Sequence, residues 1–199
     1  DKAESRGLGD VYKRQAPNNY ANKFVEYSGI SNFRSRYPKS FFLRKLVDPL
    51  IIPDSDYRMI IDIDLLWFKD PSIIRQEVET QGRKSFMMTQ PIDERNLRSY
   101  VYFQDGSRLH DKFTGYNGGI IFFHKDSLNP QKVLEYLQRL DMSHPDSQHF
   151  VEQAGYTYNL ENLVKLPESS YIIKPGVNPE TIIKHYTGCL LYTSPSPRD

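Results

Sequence analysis

Thiols are almost absent from this chain: Cys189 is the one cysteine in 199 residues. A disulfide framework and a thiolate metal centre are thereby excluded, and a reducing compartment fits. Long apolar runs are also missing, since nothing approaches the roughly 20 consecutive apolar residues that a bilayer crossing demands. Nor is there an excess of charge. With 26 basic and 25 acidic side chains the formal charge is +1, so neither nucleic acid nor an anionic membrane is indicated as the main partner. What is present is 38% hydrophobic and 13% aromatic residues, enough for one globular domain with a sizeable core and a near-neutral surface suited to small polar substrates.

The two ends do not read like the middle. Residues 1–15 (DKAESRGLGDVYKRQ) and 189–199 (CLLYTSPSPRD) resemble translated sequencing-adapter scars and are set aside as non-native tails. Residues 16–188 then form one partial domain, incomplete at its N-terminus. Removing the tails leaves basic and acidic residues in equal number, so the charge argument is unchanged. A cytoplasmic location is favoured, with the lumen of the secretory pathway as the alternative if a native N-terminus is missing.

Within the core, apolar spacing predicts a helix over 40–51, stopped by Pro53 and Asp54. The run Tyr57-Arg58-Met59-Ile60-Ile61-Asp62-Ile63-Asp64 is short and β-branched, which predicts a buried strand ending in two carboxylates. Asp70-Pro71 supplies a cap and a first-turn proline for a helix that Gly82 closes. A short strand is expected over 86–90, a loop over 91–114, and a strongly apolar strand over 117–124 entered through Gly118 and Gly119. A helix from Pro130 shows Val133, Leu134, Leu137 and Leu140 on one face, and a second spans 145–154 with Gly155 as its cap. Strands over 163–166 and 182–186 complete an α/β layered fold with a mixed, mainly parallel sheet flanked by helices.

Chemistry concentrates at Asp62 and Asp64, because ligands of open α/β sheets bind beyond the carboxyl ends of the strands. Residues two apart on a strand point to one side, so both carboxylates can address one cation while Ile63 faces the other way. Oxygen ligands suit a hard divalent ion such as magnesium or manganese, and a substrate diphosphate would complete its shell.

The apolar strand, Asp62-Ile63-Asp64 and the following Trp67-Phe68-Lys69-Asp70-Pro71 together resemble the signature of GT-A-fold glycosyltransferases, particularly family-8-like enzymes. Asn117-Gly118-Gly119-Ile120, Asp146-Ser147-Gln148 and Lys184-His185-Tyr186-Thr187-Gly188 are similar to later elements of that family, in the same order. The resemblance implies a GT-A-like nucleotide-diphospho-sugar transferase fold and an enzyme that moves a sugar to an acceptor hydroxyl, a glycan or another alcohol, with retention of configuration. It implies Asp62, Asp64 and His185 as metal ligands, and the imidazole leans the cofactor toward Mn2+ over Mg2+. The donor site would comprise Asp62, Ile63, Asp64, Gly118, Gly119 and Gly188, the glycines allowing close approach. Asn117 would orient the transferred sugar, and Asp146 with Gln148 would serve the acceptor or the charge developing at the anomeric carbon. Two departures stand out: no first nucleotide-binding strand is evident, and Cys189 stands where a phosphate-binding lysine is usual. Two other classes remain: a haloacid-dehalogenase-type phosphatase with Asp62 as nucleophile, against which Leu65-Leu66 counts, and a non-catalytic sugar-nucleotide or glycan-binding module.

Overall fold

The structure, a computed structural model, describes residues 27–51, 55–91, 100–109, 113 and 115–187. The expected helix stop at Pro53 and Asp54, both tail segments and Gly188 lie outside the described residues.

Two helices lead: α1 (Ser28–Arg36) and α2 (Phe41–Ile51). The chain then forms β1 (Tyr57–Ile61), a turn, β2 (Leu65–Trp67), α3 (Ser72–Glu79) and β3 (Ser85–Thr89). A hairpin of β4 (Val101–Tyr102) and β5 (Arg108–Leu109) precedes the long β6 (Tyr116–His124). Helices α4 (Pro130–Arg139) and α5 (Pro145–Asn159) and three short strands, β7 (Leu163–Lys165), β8 (Tyr171–Ile172) and β9 (Ile183–His185), follow.

Strand β6 organises the main sheet, whose order is β1-β6-β3-β7. Its side chains alternate with the period of a strand. Ile121 and Phe123 enter a core shared with Leu43, Leu46 and Val47 of α2, Val133 and Leu137 of α4, and Val151 and Ala154 of α5. Ile120 and Phe122 enter a smaller core on the other face with Ile74 of α3, Tyr171 of β8 and Ile183 of β9. Both faces being covered, β6 reads as an unbroken apolar run. The alternation of strands and helices points to a mainly parallel sheet, but β1 and β3 both pair with β6 antiparallel, as do β2 with β9 and β4 with β5. Parallel pairing is confined to β3 with β7 and β8 with β9. The sheets are mixed and flanked by helices, not mainly parallel.

Several local expectations need correction. The strand predicted over 57–64 ends at Ile61 and, among the described residues, is a sheet edge with Met59 and Ile61 about half exposed. Pro71, not Asp70, occupies the cap position of α3 and no side chain caps it; the Asp70 carboxylate instead pairs with Arg75 at 2.9 Å. At the far end of α3, Gln81 takes the left-handed φ of 52°, and the Gly82 N–H returns to Glu77 O. The predicted loop over 91–114 contains the β4–β5 hairpin, held by Ser147 Oγ accepting from Tyr102 N at 2.9 Å. Gly155 does not end α5, which runs on to Asn159. A side chain there would overlap Leu46 and crowd Tyr136, so this glycine sets the close approach of α2 and α5.

Pro49 sits inside α2. It has no N–H to give the carbonyl four residues back, which is that of Lys45. The hydroxyl of Tyr156, fully buried on α5, donates to that carbonyl at 2.9 Å. A sequence irregularity on one helix is thus matched by a donor on another, at the level of Lys45. Tyr156→Phe strands a buried acceptor and is expected to cost about 1–3 kcal/mol, read as a lower midpoint in urea denaturation with an unchanged slope.

Candidate metal centre

Asp62 and Asp64 are carried by the turn between β1 and β2. Its first residue is fixed by Asp62 N donating to Gly119 O at 2.9 Å, and its last by Tyr186 N donating to Asp64 O at 3.0 Å. Ile63 swings out and is 89% exposed. The two carboxylates converge because the chain turns here, not because a strand alternates. Leu65 pairs with His185 across β2 and β9, which brings the late strand beside the turn. His185 Nε2 lies 3.0 Å from Asp64 Oδ1 and 3.5 Å from Asp62 Oδ2. One ligand atom from each of the three residues falls within 4.8 Å of the others. The histidine is buried, while each carboxylate side chain keeps 27% of its surface.

The tautomer of His185 follows from its other nitrogen. Asn117 Oδ1 accepts from Gly119 N at 2.8 Å, and Asn117 Nδ2 donates to Gln90 Oε1 at 3.0 Å, which orients the amide. The same Oδ1 lies 2.9 Å from His185 Nδ1, so Nδ1–H donates to it. The lone pair of Nε2 in the neutral ring then faces two carboxylates. Burial pulls the His185 pKa below its ordinary value, against the raising influence of Asp64 and Asp62. A cation at their centre would take one ligand atom from each of the three residues. For bonds of about 2.1 Å, neighbouring ligand atoms lie about 3 Å apart, as His185 Nε2 and Asp64 Oδ1 do at 3.0 Å, with Asp62 Oδ2 somewhat further off at 3.5 Å. Two carboxylates and an imidazole form a donor set for a divalent cation.

A bulge shapes the floor of the site. Met87 faces Ile121 but Met88 faces Asn117, so Gly118, Gly119 and Ile120 have no partner on β3. Gly118 O turns instead to Lys45 Nζ at 2.6 Å. The close approach expected at the two glycines is made by the chain's own side chains: a Cβ on Gly118 would overlap the Glu152 carboxylate, and one on Gly119 would overlap His185 Nδ1. Asn117, expected beside a sugar, is buried and holds the histidine.

Lys45 and Glu152 are the members that sequence reasoning missed. Lys45 Nζ contacts Asp62 Oδ1 at 2.7 Å and Glu152 Oε1 at 2.9 Å. Burial pushes the Glu152 carboxyl up to about 7, against the lowering influence of Lys45. The available signal was a carboxylate on α5 in helical register with Gly155 and Asn159, both buried. Asp146 and Gln148 stand elsewhere, at the N-terminal end of α5. The Asp146 N–H donates to His144 Nδ1 at 3.2 Å, and Gln148 Nε2 donates to Met142 O at 2.8 Å. Glu152 lies six residues beyond Asp146 and four beyond Gln148, about 9 and 6 Å along the axis. Among the described contacts neither Asp146 nor Gln148 reaches Asp62, Asp64 or His185.

Fold and site together define an α/β protein of mixed sheets flanked by helices, with an acid–histidine cluster at the exit of an edge strand. In fold it is similar to the crystal structure of mouse xyloside xylosyltransferase 1 in its apo form, with a TM-score of 0.50 and 14% identity over 92% of this chain and 81% of that chain. No family model matches the sequence, and no curated protein matches it.

Proposed function

We propose that this chain is a metal-dependent glycosyltransferase. Asp62, Asp64 and His185 hold a divalent ion, Mn2+ or Mg2+, against the diphosphate of a nucleotide-sugar donor, and the sugar passes to an acceptor hydroxyl with retention of configuration. The observation that carries this reading is the convergence of three ligand atoms within 4.8 Å around a histidine whose tautomer Asn117 sets. The glycosyltransferase fold of the structural neighbour supports it.

When bound, the ion supplies neutralisation of the charge that grows on the departing nucleoside diphosphate. The protein's own work is positional. Asn117 and Gly119 hold His185 in one orientation, and the turn after β1 brings both carboxylates to the same point. The part-exposed carboxylates leave room for donor phosphates on the solvent side.

The test is calorimetric titration of the chain with a panel of uridine and guanosine diphosphate sugars, a xylosyl donor included, with Mn2+ or with EDTA. The expected result is donor binding that requires the metal. Donor binding of equal strength in EDTA would overturn the metal reading, and no binding of any member of the panel would overturn the transferase assignment.

A further inference from the structure

Lys45 lies on α2, its ammonium enclosed by three acceptors from three parts of the chain: the Asp62 carboxylate at 2.7 Å, the Gly118 carbonyl at 2.6 Å and the Glu152 carboxylate at 2.9 Å. Two of its donors go to Asp62 and Gly118, and Glu152 Oε1, buried and without a hydrogen bond of its own, faces the ammonium as an ion-pair partner. The side chain is only 6% exposed. Its backbone is held as well, because the Lys45 carbonyl freed by Pro49 takes the Tyr156 hydroxyl. Tyr156 and Glu152 both belong to α5, so one helix anchors the lysine at its root and at its tip.

This cage acts on Asp62. With Oδ1 bound to the lysine, Oδ2 is the oxygen turned toward His185 Nε2. Asp62 sits on a turn between strands, beside a largely exposed Ile63, and the lysine is the hydrogen-bond donor on its carboxylate. We propose that Lys45, anchored by Glu152, is a positioning residue that presents Asp62 to the cation through a single oxygen. The proposal rests on the reading of Asp62, Asp64 and His185 as metal ligands. It extends that reading to two residues outside the group of three ligands, which act through Asp62.

Electrostatics alone gives the opposite expectation, which makes the idea testable. Deleting a positive charge 2.7 Å from a ligand carboxylate should tighten binding of a cation. Losing a positioning partner should weaken it, by about 10-fold on the scale of outer-shell partners of metal ligands. Mn2+ binding to the full chain would be measured by the electron paramagnetic resonance of free Mn2+ and by calorimetry, for wild type, Lys45→Met and Glu152→Gln, with thermal melts as a check on folding. The expected result is an Mn2+ dissociation constant raised about 10-fold in Lys45→Met, a smaller rise in Glu152→Gln, and an altered spectrum of the bound ion at saturation. Affinity equal to or tighter than wild type in Lys45→Met, or an unaltered bound-ion spectrum, overturns the proposal and leaves the metal site standing. If Lys45→Met does not fold, Glu152→Gln carries the test, and unchanged affinity there overturns it. A wild-type chain that takes up no Mn2+ removes the metal site itself, and the role of Lys45 with it.

Discussion

Asp64→Ala is expected to remove Mn2+ binding, raising the dissociation constant by more than about 100-fold, because the loss of a direct ligand should exceed the 10- to 100-fold typical of outer-shell partners. The melting temperature of the metal-free protein should not fall with it. The Asp64 side chain keeps 27% of its surface exposed, so its removal opens no cavity in either core. The Asp64 backbone, which accepts from Tyr186 N, is untouched by the substitution. Thermal melts in EDTA and in saturating Mn2+ check both halves. Wild type should gain stability from the ion by mass action, and the variant should gain none while matching wild type in EDTA. A variant that melts much lower in EDTA would instead make Asp64 a structural residue and the cluster a solvated turn.

Much of this was legible in the sequence because it is local. The apolar run around β6, the helical stripe of Val133 and Leu137, and the pair of acids after a β-branched strand each declare themselves within about ten residues. His185 was identified by the resemblance of its surroundings, and the structure brings it to Asp64. What the sequence hid is what depends on partners far along the chain. Whether β1 is buried or at an edge is decided by which strands pair with it, and a run such as YRMII is compatible with both. Parallel and antiparallel neighbours likewise leave the same apolar record on a strand covered on both faces. Lys45 and Glu152 are separated by over a hundred residues and look locally like ordinary charges on amphipathic helices. Their burial shows only once α2 and α5 are packed through Leu46 and Gly155. Asp146 drew attention instead because it sits in an Asp-x-Gln pattern, yet its first-turn position suits the helix on its own account.

The glycine pair shows how one signal admits two occupants, and it supplies the sharpest remaining test. Two adjacent glycines inside a strand mean that something comes close. If that something were a donor phosphate, Gly119→Ala would spare the fold and the metal site and weaken donor binding alone. In the structure the space belongs to His185 and Asn117: the added methyl would overlap His185 Nδ1 and lie 2.8 Å from Asn117 Oδ1. Asn117 Oδ1 accepts from Gly119 N, and His185 Nδ1 donates to the same Oδ1, so neither yields freely. Gly119→Ala should therefore destabilise the protein by about 1–3 kcal/mol, the range for overpacking a tight site. Mn2+ affinity should fall about 10-fold with no nucleotide present, since the displaced ring no longer aims Nε2 at the carboxylates. Urea denaturation and Mn2+ titration of the variant measure the two effects separately. Loss of Mn2+ affinity without nucleotide assigns the glycine to the histidine, whereas unchanged stability and unchanged Mn2+ affinity would return it to the donor.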